Sequence, residues 1–207
     1  MTIKTFEYCS LFYLNQWLTY DMIYCEILNN GSEDDKLAIL KKAGGFYRIA
    51  RNLPSKYDEK KNIARYKPVL NIIDNLKHSY FENNTVEKIR EIKSEISKEY
   101  GNRNVLSLTT KFLWIKIKQP ILIYDSQARI AIGAKYNDLN SYYDKWHDGF
   151  IANKDEIAKV CSNLPKLHKY AVNQDVGTEA YIQDLASKSW FHERVFDIYL
   201  WNKGAKV

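Results

Sequence analysis

The stretch from Val105 to Arg129 limits what this chain can fold into more than any other. Leu108, Phe112 and Ile115 recur at helical spacing, and Leu113 and Ile117 widen the same face. Little of such a helix can be solvated. Pro120 ends it, because proline disfavours helix in the residue before it. Ile121, Leu122 and Ile123 cross the break as an apolar run. Asp125 then stands ready to cap a second helix, with Ser126 as the rival cap. A greasy helix, a short break and a second helix need further helices to bury them.

One residue is out of place there. Lys111 stands at the start of the first helix, among Thr110, Phe112, Leu113 and Trp114. Burying an ammonium is costly, so burial favours the neutral amine, which is the nucleophilic form. Lys118 lies two turns further on and would act in the same direction if close. A carboxylate at a helix N-terminus is held ionised by backbone N–H groups and the helix dipole. A neutral amine with a fixed carboxylate is one way to form a Schiff base. The plainer alternatives are a Lys111 that snorkels to water and an Asp125 that only caps its helix.

The run Thr110, Lys111, Phe112 and Leu113, then Pro120, then Ile123 to Arg129, resembles the catalytic segment of oxoguanine-glycosylase-like proteins. These belong to the helix–hairpin–helix DNA glycosylase superfamily. The resemblance implies an all-α fold of two helical lobes flanking a DNA-binding cleft. It also implies that Lys111 attacks the sugar and that Asp125 is its carboxylate partner. The likeness is confined to this stretch, with weaker echoes in the last helix. Leu106 to Thr110 stands where the family carries a glycine-rich turn, and the Lys111-to-Asp125 separation is short by about one helical turn. A compact, divergent member fits these departures.

Composition narrows the partner. The 207 residues carry a net charge of +6 and a pI near 9.0, which favours an anionic partner such as nucleic acid. Hydrophobic content of 45% with 27% charged residues is that of a globular chain. Cys9, Cys25 and Cys161 are odd in number and widely spaced, which argues for a reducing cytoplasm over a disulfide framework. His78, His147, His168 and His192 show no metal-ligand spacing, and no four-cysteine iron–sulfur loop occurs. No apolar run reaches membrane-span length. We therefore expect no metal, no cofactor and no membrane anchor, and a monomer that binds DNA.

The remaining segments read as helices. Phe6 to Asn29 is one long amphipathic helix, and Ser32 opens another that Gly44 and Gly45 break. Phe46 to Leu53, Tyr66 to Phe81 and Thr85 to Tyr100 follow. Tyr142 to Phe150 rides a further helix, and Asn153 to Tyr170 is helical with an interruption at Pro165. Thr178 caps a helix through Ala186, and Ser189 caps the last, through Trp201. No convincing alternating strand is present. The expectation is an all-α fold of about nine helices in two closely packed lobes. The lobes are expected at residues 1–50 with 170–207, and at 51–169.

Function follows from the resemblance. The chain is expected to excise a damaged or modified base by flipping it from the duplex, with strand nicking as a possible second step. Arg48, Arg51, Lys56, Arg65, Lys118 and Arg129 are the candidate backbone contacts. Trp114, Tyr124, Trp146, Trp190, Phe191 and His192 are the candidate base-pocket residues. Two other classes stay open: a non-catalytic helical nucleic-acid-binding protein, and a small defence or interaction factor with no DNA chemistry.

Overall fold

In a computed structural model, residues 4–51 and 53–205 are described. Several helices start where a side-chain oxygen accepts from the first turn, as capping chemistry requires. Thr5 caps α1 (Phe6–Gln16) and Thr178 caps α9 (Glu179–Ala186). Ser32 caps α3 (Glu33–Phe46) through a capping box with Asp35. Asp125 caps α7 (Ser126–Ala131), and Asp138 caps α8 (Leu139–Asn163). The other helices are α2 (Met22–Asn30), α4 (Lys67–Ile73), α5 (Thr85–Glu99), α6 (Leu106–Ile117) and α10 (Ser189–Gly204). A π-helical turn, Trp17–Asp21, joins α1 and α2 into one helical run, as the single long pattern predicts. The described residues thus form an all-α fold of nine helical bodies.

The chain divides into two compact units. One is Met1–Met22 with Tyr124–Val207, and the other is Ile23–Ile123. The sequence places the divisions elsewhere, at 50/51 and 169/170. The difference arises because α7 and α8 pack on α10, which draws everything after Ile123 to the two chain ends.

In the unit that holds both chain ends, α10 is the organising helix. It packs on α7, α1, α8 and α9, and it buries Phe191, Val195, Phe196, Ile198 and Leu200. Trp146 of α8 stacks on Phe150 at 5.0 Å and meets Phe196 edge-on at 5.2 Å. Tyr13 of α1 lies 5.1 Å from Phe191. Gly204, at the end of α10, touches the backbone of α7. A Cβ there would fall 1.8 Å from the Gln127 carbonyl oxygen, so only glycine allows the approach.

In the other unit α3 packs on α4, α4 on α5, and α5 on α6. Nine of the twelve residues of α6 are buried. Phe112 of α6 meets Tyr66 edge-on at 5.2 Å. Tyr66 in turn lies against Gly44, where a Cβ would come within 2.2 Å of its hydroxyl.

Several segment boundaries differ from the sequence pattern. Gly44 and Gly45 do not break α3, which runs to Phe46. It ends in a Schellman motif, with Arg48 N–H donating to Gly45 at 3.1 Å and Ile49 N–H to Gly44 at 3.0 Å. Arg48 holds the left-handed position, at φ 55°, that glycine usually takes. Among the described residues the expected helix from Phe46 to Leu53 is therefore absent, and Asn52 lies outside them. A two-stranded antiparallel hairpin, β1 (Lys56–Asp58) with β2 (Ile63–Ala64), follows and was not legible as alternation. The expected Tyr66–Phe81 helix is cut to α4 and a 3-10 turn at His78–Tyr80. In contrast α8 runs unbroken to Asn163, and Pro165 sits in the first turn of a 3-10 segment, Leu164–Tyr170.

Two glycines give opposite expectations. Gly204→Ala forces α10 off α7 and should cost about 1–3 kcal/mol, as overpacking does. Gly45→Ala meets nothing within 4 Å inside α3 and should stabilise by about 0.5 kcal/mol. Urea midpoints of the two variants against the parent measure both signs.

Candidate active site

The α6 helix positions Lys111. Its Val105 N-cap has no side-chain bond, although the Asn104 amide oxygen accepts from Leu106 N–H at 3.3 Å. The Thr109 and Thr110 hydroxyls fold back onto the Val105 and Leu106 carbonyls, at 3.0 and 3.2 Å. That bonding leaves both threonines compatible with helix. Leu106–Thr110 is thus the first turn of α6, so Lys111 lies in its second turn and does not open the helix. Lys111 is 4% exposed, and its ammonium donates to the Ser107 hydroxyl at 2.8 Å. Snorkelling to water is excluded, because the nitrogen turns back along the helix to a serine one turn earlier. Lys118 is elsewhere in character: it ends α6 with a left-handed φ of 61°.

Asp125 belongs to the other unit, since the division falls at Ile123/Tyr124. Its carboxylate accepts from Gln127 N–H at 2.9 Å, as expected of the cap of α7. Its charge is felt within that unit. Complete burial pushes the Tyr142 hydroxyl well above its ordinary value, and the charges of Asp197 and Asp125 add to the effect.

The candidate DNA contacts fall into two groups. Arg48, Arg51 and Lys56 are exposed, and with Lys60 and Lys61 at the hairpin tip they make one stretch of mostly solvated cations. Lys56 donates to the Asn62 side chain at 2.6 Å. Arg65 and Arg129 are half-buried and already hold backbone oxygens. Arg65 donates to the Pro54 carbonyl, and Arg129 to the Ala134 carbonyl at 2.9 Å. Arg129 also lies 5.7 Å from the exposed Tyr136 ring. It therefore locks the end of α7 as well as carrying charge.

The candidate base-pocket residues are not gathered as an open surface. Trp114 is 1% exposed and lies in the α6 unit, while the other five lie in the α10 unit. Trp146 and Phe191 are 1% and 0% exposed, held in the aromatic packing around α10. Tyr124 is buried, and its hydroxyl accepts from Asn137 N–H at 3.2 Å. Trp190 and His192 are the half-buried members. Trp190 lies 4.7 Å from Trp17, and the His192 ring bonds the Ala186 carbonyl at 2.7 Å. Trp146 and Phe191 are thus core residues of the α10 unit, because their rings pack on its other aromatic side chains, and Trp114 is buried as well.

Two charged clusters escaped the sequence reading. In α10, Arg194 donates to Asp197 at 2.6 Å, and the Trp146 indole donates to the other carboxylate oxygen at 2.8 Å. Burial pushes the Asp197 carboxyl above its ordinary value, against the opposing charge of Arg194 and the two hydrogen bonds. Their three-residue spacing on a helix was the available signal. In the other unit Asp74 joins Lys36 at 2.7 Å and Lys116 at 3.6 Å. Those three come from separate helical segments, and local sequence gives no sign of the meeting.

No protein-family model, no curated protein and no solved structure matches this chain. Among the described residues no helix is long and apolar enough to cross a membrane. Among them, too, there is no group of three or more His, Cys, Asp or Glu side chains placed to hold a metal ion.

The core assignments have measurable consequences. Phe191→Ala should cost about 3–5 kcal/mol, because a buried aromatic leaves a cavity. Asp197→Ala removes the carboxylate that faces a buried guanidinium and should also cost about 3–5 kcal/mol. Replacing both partners, Arg194→Met with Asp197→Leu, should recover most of that loss in the same denaturation experiment.

Proposed function

We propose that this chain is a DNA glycosylase that flips out a damaged or modified base, with Lys111 as nucleophile and Asp125 as carboxylate partner. The observation that supports it best is the burial of Lys111 among the apolar residues of α6, with its nitrogen donating to Ser107. An amine kept from water is costly to maintain for stability alone, and such sites are where nucleophilic lysines are found. The resemblance of the Lys111-to-Arg129 segment to oxoguanine-glycosylase-like proteins points to the same reading.

In this reading the neutral Lys111 nitrogen attacks C1′ of the flipped nucleotide. The glycosidic bond breaks, and the base leaves with the bonding electron pair and takes up a proton. The Asp125 carboxylate stabilises the positive charge that develops on the sugar. Ring opening gives a protonated Schiff base, and β-elimination of the 3′ phosphate would then nick the strand. The exposed stretch from Arg48 to Lys61 supplies phosphate contacts without base readout. The protein acts as a monomer on DNA in a reducing cytoplasm, a setting that suits three cysteines outside any disulfide.

The deciding experiment is borohydride trapping on duplexes carrying oxidised purines and naturally modified pyrimidines. The parent should form a covalent protein–DNA adduct. Lys111→Gln should form none, yet retain a cooperative melt and DNA binding. Asp125→Asn keeps a capping oxygen and should slow excision by about 10²–10³-fold. Excision without trapping would make water the nucleophile. No release from any substrate would leave a DNA-binding protein without glycosylase chemistry.

DNA affinity itself should be mostly electrostatic. Arg48→Glu with Arg51→Glu should weaken binding and flatten its salt dependence by about one to two units of slope. Fluorescence anisotropy across a salt series reads this directly, and an unchanged slope would remove the two arginines from the DNA interface.

A further inference from the structure

The α6 unit holds a cavity of about 420 Å³ that the excision reading does not use. Its wall includes Asn29 at the end of α2, Asp74, Lys77 and His78 after α4, and Lys116 near the end of α6. The volume is in the range of small-molecule sites. Asp74 is the one acidic side chain of this wall, and a single oxygen of it is shared by Lys36 at 2.7 Å and Lys116 at 3.6 Å. One carboxylate cannot neutralise two ammonium groups.

The side chain of Lys116 is only 8% exposed, so its charge is turned inward from bulk water. Burial pulls the Lys116 ammonium below its ordinary value, and the charge of Lys36 pulls the same way against Asp74. Burial would raise the Asp74 carboxyl, but the hydrogen bond and charge of Lys36, with Lys116, bring it below its usual range. Asp74 therefore stays an anion, and the surplus charge of the cluster is positive. Lys77 is exposed beside it, and His78 pairs on its far side with Glu82 at 3.2 Å.

The ends of α2, α4 and α6 also border the cavity, and helix C-termini favour cations. Each contributes about half a charge, spread over several carbonyls and reaching one turn. One of those carbonyls, that of Lys116, already accepts from Asn29 at 3.3 Å. The whole ammonium charges of Lys116 and Lys77 act at shorter range on a ligand in contact with them.

We propose that this cavity binds a phosphate monoester of mononucleotide size, with Lys116 and Lys77 on its oxygens and the His78 ring beside them. A terminal phosphate dianion supplies the charge that Asp74 lacks, and it accepts from several donors at once. Two sources carry that group, a free mononucleotide and a 5′-phosphorylated strand end. The site shares no residue with Lys111 or Asp125, so it stands or falls apart from the excision reading.

The test is calorimetric titration of the full chain with deoxyadenosine monophosphate, deoxyadenosine and inorganic phosphate. The monophosphate should bind, inorganic phosphate should bind more weakly, and the nucleoside should not bind. Lys116→Met and Lys77→Ala should each weaken the monophosphate by roughly tenfold or more, as loss of a charged hydrogen bond does. Lys77 is exposed, so Lys77→Ala should melt like the parent and keeps the test valid if Lys116→Met folds poorly. A 5′-phosphorylated oligonucleotide that displaces the monophosphate, when its unphosphorylated twin does not, identifies the strand end as the source. Failure of both oligonucleotides to displace it identifies the free nucleotide. No heat with the monophosphate at millimolar concentration, or affinity unchanged in Lys77→Ala, would overturn the proposal.

Discussion

The burial of α6 is the constraint on which its unit depends. A helix with nine of twelve residues out of solvent cannot exist alone, so the neighbouring helices are there to cover it. Most of those nine residues are apolar, which makes the buried Lys111 a costly exception. Ser107, one turn earlier, accepts a hydrogen bond from the amine. A hydrogen bond kept from water is electrostatically stronger than one made in water.

The α10 unit solves the same problem differently. Its central helix carries a full ion pair, Arg194 with Asp197, and adds the Trp146 indole to complete the carboxylate. Replacing such a pair by apolar side chains is often neutral or stabilising, so its presence suggests selection for one arrangement of α8 on α10. The close approach at Gly204 fixes the other end of the same helix onto α7. Asp125 caps α7, so the carboxylate is placed by contacts made far from it in sequence.

Much of this fold was legible because its signals are local. The caps at Asp125 and Thr178, the Gly101 stop after α5 and the apolar face of α6 all act within one or two turns. The errors have a common cause. Gly44 read as a breaker, yet it serves Tyr66, a residue far along the chain. Arg48 in the left-handed region and the short β1–β2 hairpin carry no periodic signature. Phe191 and Trp146 looked like pocket residues because aromatic side chains do not reveal from sequence whether a core or a ligand covers them. Asp74 meeting Lys36 and Lys116 is a tertiary event, and no spacing announces it.

The three thiols have a practical consequence. Cys9 and Cys161 lie in the α10 unit and Cys25 in the α6 unit, all three buried and outside any disulfide. Burial pushes the Cys9 and Cys161 thiols up to about 12, so almost none of either is thiolate at neutral pH. Alkylating reagents attack only the thiolate, and they need access to it. Each cysteine is therefore a built-in clock. The rate at which Cys9 or Cys161 is modified reports how often their unit opens, and the rate at Cys25 reports openings of the other. Mass spectrometry of the three peptides would give separate opening free energies for the two units from one unmodified chain.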